Sequence, residues 1–227
     1  VHLSNGLPSL SIVGLPEKAV QESKDRVRGA ILNSGFEFPP SRITINLAPA
    51  DLPKEGGSFD LPVALGILAA SGQIPNRGLN SVECLGELAL SGELRPVKGV
   101  LPAALGARNA GRALLVPTAN TAEAALVSDL RVYGASRLLD ICAHINGEHK
   151  LESVAGSHEA APDMVVADLA EVKGQPQAKR ALEVAAAGGH SLLFLGPPGT
   201  GKSMRAPRLP GILPPTGAPE ALVQASV

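Results

Sequence analysis

Tryptophan is absent from the 227 residues, and the aromatic complement is four Phe and one Tyr, 2% of the chain. That shortage excludes the base-stacking platforms used by single-strand nucleic-acid binders. Cysteine is nearly as scarce. Cys84 and Cys142 are too few for a disulfide framework or a zinc site, and each reads as a small buried hydrophobe. Neither sign of charge dominates: 20 basic residues stand against 21 acidic, a net charge of −1. A globally basic nucleic-acid coat is thereby excluded, while a local patch is not. No apolar run approaches the ~18 residues of a membrane span. No signal peptide is visible either, so the expected location is cytoplasmic, with no membrane partner. Paired metal-ligand spacing is also missing: His2, His144, His149, His158 and His190 are scattered. The chain begins at Val1 rather than Met, directly in strand-like sequence, as though a natural first segment were missing.

What the chain has in quantity is apolar residues, 44% against 18% charged, enough for a sizeable core. At ~150 residues per domain its length corresponds to one and a half domains. Over the first ~145 residues, strand-like and helix-like patterns alternate. Leu10, Ile12 and Val13 form a short apolar run. Val20, Val27 and Ile31 then recur at helical spacing among Glu22, Lys24, Asp25, Arg26 and Arg28, until Asn33-Ser34-Gly35 stops the helix. Ile43, Ile45 and Leu47 alternate with polar residues as a half-buried strand. A Pro/Gly-rich loop from Pro49 to Ser58 leads into an apolar helix, Leu61 to Ala70. Ser58 is the expected N-cap of that helix, with Asp60 in its first turn. Further strands are expected over Val82 to Leu90, Leu114 to Val116 and around Val132. Helices are expected over Leu101 to Ala110, Thr121 to Val127 and Leu138 to Ile145. Alternation of this kind argues for an α/β or α+β domain over residues 1–147. Residues 148–162 are small and polar and read as a linker. A second unit, 163–227, carries an Ala-rich helix ending at Gly188-Gly189 and an apolar strand from Ser191 to Leu195.

That strand runs into Gly196-Pro197-Pro198-Gly199-Thr200-Gly201-Lys202-Ser203, which fits G-x-x-x-x-G-K-[ST] without mismatch. Glycines let successive backbone N–H groups converge on phosphate oxygens in conformations that a side chain would block. Lys202 supplies a mobile point charge for the β- and γ-phosphates, and the Ser203 hydroxyl a ligand for Mg²⁺. ATP and Mg²⁺ are therefore the expected cofactors. The reading requires residues 191–195 to pair as a strand and the loop amides to face a common centre. Pro207 should shorten or kink the helix that follows. Hydrolysis also needs an acidic residue on a neighbouring strand, and the 24 residues after Ser203 are proline-rich and offer no such strand. Binding without turnover is the expectation, and no catalytic residue is assigned.

The residues resemble a known family. Val1 to Glu17, Glu22 to Arg28, Ile45 to Gly57 and Phe59-Asp-Leu-Pro62 are similar to the YifB/ComM family of magnesium-chelatase-like AAA+ ATPases. Asp168 to Arg180, continuing through the phosphate loop to Pro215, resembles the start of that family's ATPase domain. The resemblance implies a Lon-protease-like (ribosomal protein S5 domain 2-like) fold for the first domain, followed by the beginning of a P-loop AAA+ domain. It also implies homo-hexamers and ATP-driven branch migration of DNA during natural transformation. Against the family pattern, this chain lacks the acidic Walker B strand, the sensors and the arginine finger, and it resembles a truncated copy. Arg205 and Pro207 replace small or helix-favouring residues.

Two alternatives stand beside the ATP-binding reading. The first domain could act alone as a non-enzymatic interaction module. It could also be a peptidase, since Ser58 lies where a Lon-like Ser–Lys nucleophile would. The expected lysine position is occupied by Leu101, however, and Lys98 falls three residues early in a solvated loop.

Overall fold

The computed structural model describes residues 1–14, 18–49, 56–154 and 167–213. These form two compact units, 1–154 and 167–213. Both combine helices with irregular segments, and the first also contains mixed sheets, so the class is mixed α/β.

In the first unit, β1 (His2–Ser4), β3 (Arg42–Asn46) and β2 (Ser9–Val13) form a sheet in that spatial order. The β2–β3 pair is parallel, Leu10 opposite Ile43 and Ile12 opposite Ile45. Helix α1 (Lys18–Asn33) makes the crossover between them. Its Val20, Val27, Ala30 and Ile31 are fully buried, as their helical spacing requires. Each buried Val or Ile contributes roughly 1.5–3 kcal/mol relative to exposure. Helix α2 (Asp60–Ala70) packs on α1 and is buried along most of its length.

The second sheet runs β4 (Val82–Cys84), β7 (Ala113–Pro117), β8 (Val132–Ala135) and β9 (Ser153–Val154). Its first three strands are parallel and β9 is antiparallel. All five residues of β7 are buried, the expected signature of a strand covered on both faces. Helix α3 (Val100–Asn109) and the short α4 (Thr121–Ala124) build a separate apolar cluster with Leu114, Val116 and Val132. Helix α5 (Leu138–Asn146) contributes Leu138, Ile141 and Cys142 to the main core.

Three expectations are corrected here. Ser58 does not cap α2: the N-cap position is Phe59, and the helix carries no side-chain cap. Instead Asp60 is fully buried, paired with Arg26 through bonds of 2.7 and 3.0 Å, and accepts the Leu88 N–H at 3.2 Å. Burial pushes the Asp60 carboxyl up from its ordinary value, against the opposing pull of Arg26 and the Leu88 amide. Residues 82–90 do not form one strand. The chain leaves β4 at Gly86, whose N–H donates to the Ser58 carbonyl and whose carbonyl accepts from Leu61 N–H, both at 3.0 Å. It resumes as β5 (Glu87–Leu88), paired antiparallel with β6 (Leu94–Arg95). Residues 148–154 are not linker. Leu151 packs on the main core, its N–H donates to His144 Nδ1 at 3.0 Å, and Val154 pairs with Val132. The rest of the expected linker lies outside the described residues.

In the second unit, α6 (Pro176–Gly188) packs Leu182 against Leu169 and Val172, with Phe194, Leu209 and Ile212 beside them. Residues 191–195, expected as a buried strand, pair with nothing among the described residues. Leu193 and Leu195 are 78% and 86% exposed. The physical reason is direct: a parallel strand is buried only by neighbours, and the described part of this unit contains no other strand.

Candidate functional site

The loop Gly196–Ser203 joins this extended segment to α7 (Lys202–Arg205), a single helical turn. The helix ends where Pro207 stands: residues 206–208 continue as a 3₁₀ turn, since proline has no N–H for an α-helical bond. Gly199 and Gly201 adopt φ of +82° and +76°, the left-handed region that a side chain would strain. A Cβ at Gly199 would meet open space, and one at Gly201 would meet the Arg205 guanidinium at 3.5 Å. The N–H groups of Gly199, Gly201 and Ser203 donate to nothing among the described residues.

Lys202 turns back into the loop. Its Nζ donates to the Gly196 and Pro197 carbonyls, both at 2.7 Å, and approaches Thr200 Oγ1 at 3.4 Å. Thr200 Oγ1 itself donates to the Pro197 carbonyl at 3.0 Å. The ammonium is thus held by neutral carbonyls that an anion would outcompete. Pro198 forms the exposed tip, and Ser203 presents its hydroxyl to solvent one residue beyond the lysine. All eight expected residues are contiguous here, and the loop stands without the paired strand that was expected to feed it.

Two further residues grip the loop from behind. Arg205 is 5% exposed and donates through Nη2 to the Thr200 carbonyl, with its guanidinium carbon 5.3 Å from the Phe194 ring centroid. Gln175, at φ +54° just before α6, donates to the same carbonyl at 3.3 Å. Arg205 is conspicuous in the sequence as a charged residue where a helix-favouring one is expected. Gln175 carries no such signal, because its left-handed backbone is not legible from its residue type.

In the first unit, Ser58 and Lys98 line one cleft of about 530 Å³ together with Glu87 and the backbone of Gly56, Gly57 and Gly99. No hydrogen bond joins Ser58 Oγ to Lys98 among the described residues, and Lys98 is exposed. Leu101 is buried in the α3 cluster. Asn120 positions the Lys98 loop by pairing its side-chain amide with both backbone groups of Val97, each at 3.0 Å. The Cys142 thiol is pushed up to about 12 by burial and has no reactive character. Among the described residues, no helix is long and apolar enough to cross a membrane, and no group of three His, Cys, Asp or Glu could hold a metal ion.

Comparison with known proteins places this geometry in context. Residues 1–120 match the family described as subunit ChlI of Mg-chelatase, and residues 168–227 match magnesium chelatase, subunit ChlI. The chain is 54% identical to YifB of Salmonella typhimurium over 227 residues, all of this chain and 45% of that protein. It is likewise 54% identical to competence protein ComM of Haemophilus influenzae over 231 residues, again all of this chain and 45% of the relative. Lon protease 2 of Thermus thermophilus is 33% identical over 85 residues, 37% of this chain and 10% of that protein. The chain therefore spans about half the length of the curated relatives it matches throughout. A glycine loop closed on its own lysine, within a chain matched end to end at this identity, belongs to the YifB/ComM family of magnesium-chelatase-like proteins.

Proposed function

We propose that this chain binds ATP with Mg²⁺ through Gly196, Pro197, Pro198, Gly199, Thr200, Gly201, Lys202 and Ser203. The observation that carries the reading is the loop itself, since residues 191–195 do not supply the paired strand that the reading called for: two left-handed glycines, amides at Gly199, Gly201 and Ser203 that donate to nothing among the described residues, and an ammonium 2.7 Å from two carbonyls. Residues of this kind fit a polyphosphate. Lys202 would exchange its carbonyl partners for β- and γ-phosphate oxygens, and the loop amides would donate to the remaining oxygens. Ser203 would give Mg²⁺ one oxygen, the phosphates supplying others. The metal spreads and neutralises phosphate charge when bound.

Turnover is a separate matter. No strand stands beside residues 191–195 among the described residues, and no acidic group there is assigned to orient water, so the reading is limited to binding. The second unit is read as the start of an AAA+ ATPase domain, and the first as a Lon-like domain, a reading supported by the 85-residue similarity to Lon protease 2. In a full-length protein of the YifB/ComM kind, we read both as parts of a hexameric, cytoplasmic, ATP-driven motor acting on DNA; the name of the Haemophilus relative, competence protein ComM, supports the link to competence alone. A second reading, a non-enzymatic assembly module, draws on the first unit having its own two apolar cores. Peptidase chemistry has less support, because Leu101 is buried and no base is hydrogen-bonded to the Ser58 hydroxyl among the described residues.

Calorimetric titration of ATP–Mg²⁺ into the chain tests the main reading. Saturable binding is expected, weakened at least about tenfold in Lys202→Ala by loss of a charge-assisted contact. Equal affinity in the two proteins would remove the phosphate-loop assignment.

A further inference from the structure

The geometry points to Arg205 as a positioning residue for the nucleotide, clamping the Thr200 carbonyl so that the Gly201 amide faces the phosphate site; this rests on the ATP-binding reading above. Arg205 is 5% exposed, and its Nε–H has no hydrogen-bond partner among the described residues. Burying a guanidinium with an orphan donor is unfavourable, and an apolar side chain would fill the same space against Phe194 without that penalty. The expense is offset at one point. Arg205 Nη2 donates to the Thr200 carbonyl, and Gln175 Nε2 reaches the same oxygen at 3.3 Å from the opposite end of the unit's sequence.

Two donors on one carbonyl fix the plane of the Thr200–Gly201 peptide. Because a trans peptide points its C=O and N–H in opposite directions, a carbonyl held backward sets the Gly201 N–H forward. That N–H is one of the loop donors with no partner among the described residues. Gly201 itself sits at φ +76°, with Arg205 Nη2 3.5 Å from where a Cβ would stand, so the clamp and the glycine fit one another. Phe194 lies over the guanidinium, its ring centroid 5.3 Å from the guanidinium carbon. Neither Arg205 nor Gln175 is assigned a contact with the nucleotide. Both act through a single peptide unit.

The test uses the full chain labelled with ¹⁵N. Wild-type protein, Arg205→Leu, Arg205→Lys, Gln175→Ala and Lys202→Ala are titrated with ATP–Mg²⁺ while the Gly199 and Gly201 amide resonances are followed. In the wild type both amides shift on saturation. Arg205→Leu is expected to weaken binding about tenfold, as for loss of a hydrogen bond to a charged donor. At saturating ATP its Gly201 resonance should stay near the free position while Gly199 still moves. Arg205→Lys keeps a donor for the Thr200 carbonyl and should recover most of the affinity and of the Gly201 shift. Gln175→Ala should give a smaller loss in the same direction, and it serves as the test should Arg205→Leu fail to fold. Wild-type affinity together with a wild-type Gly201 shift in Arg205→Leu or in Gln175→Ala overturns the clamp while leaving the ATP reading intact. A wild-type protein that binds no better than Lys202→Ala removes the ATP reading, and the clamp with it.

Discussion

Asp60 carries a carboxylate to a position with no solvent exposure at all, and that is tolerable only because Arg26 and the Leu88 N–H converge on it. Removing it in Asp60→Ala takes the buried carboxylate partner from Arg26 and leaves the Leu88 amide without its acceptor. The expected loss is about 3 kcal/mol, read from the urea midpoint. His144 offers a pH-dependent counterpart. Its Nδ1 accepts the Leu151 N–H, and burial, followed by the nearby Lys150 charge, holds its pKa below the ordinary histidine value. The folded protein therefore binds this proton less readily than the unfolded chain. The stability due to the neutral ring is complete above the ordinary histidine pKa and falls as pH drops through and below it. Urea midpoints at about pH 7.5 and about pH 5.5 should differ less in His144→Asn than in wild type. A residue-type reading of the sequence leaves both groups ambiguous: Asp60 resembles a first-turn acidic residue and His144 a stray histidine. Only the fold, by bringing Leu88 and Leu151 against them, gives each its role.

Helices were more legible than strands, and the reason lies in how each is stabilised. The apolar spacing of Val20, Val27 and Ile31 is internal to one segment, so α1 follows from it directly. A strand depends on partners elsewhere. Val82 to Leu90 carries one continuous apolar pattern, yet it breaks at Gly86 because the backbone there bonds to Ser58 and Leu61 rather than to β7. Residues 191–195 show the limit of the same logic, since an apolar run with no neighbouring strand among the described residues stays extended and unpaired. Proline acts locally and was legible: α7 ends before Pro207 as anticipated. Replacing it restores a backbone donor and removes an interior penalty of roughly 3 kcal/mol, so Pro207→Ala should extend the helix by about one turn. Cα chemical shifts of residues 206–209 moving to α-helical values would show this. Unchanged shifts would mean that the Leu209 and Ile212 packing, rather than proline, sets the 3₁₀ geometry.

At the scale of the molecule, the first unit reaches further along the chain than composition suggests. Residues 148–154 are polar and small enough to pass for linker, but three contacts tie them down. Leu151 packs on the main core, its amide bonds to His144, and Ser153–Val154 covers the exposed edge of β8. None of these is visible locally, because each depends on a partner that the fold supplies: His144 of α5 for the Leu151 amide, and β8 for Ser153–Val154. The eight residues of the proposed phosphate loop, by contrast, are contiguous, so the motif is read from their order along the chain without reference to distant neighbours. The consequence for the first unit can be measured by expressing 1–147 and 1–154 side by side. Truncation at 147 forfeits part of the burial of Leu151, worth roughly 1–2 kcal/mol as a fraction of a fully buried leucine, together with the hydrogen bonds of the short strand. It also exposes the backbone of β8 as an edge, which promotes association through strand pairing. The shorter protein should therefore unfold at lower urea and self-associate more at high concentration. Equal midpoints for the two would show that the first unit is complete at Gly147 and that β9 adds nothing to it.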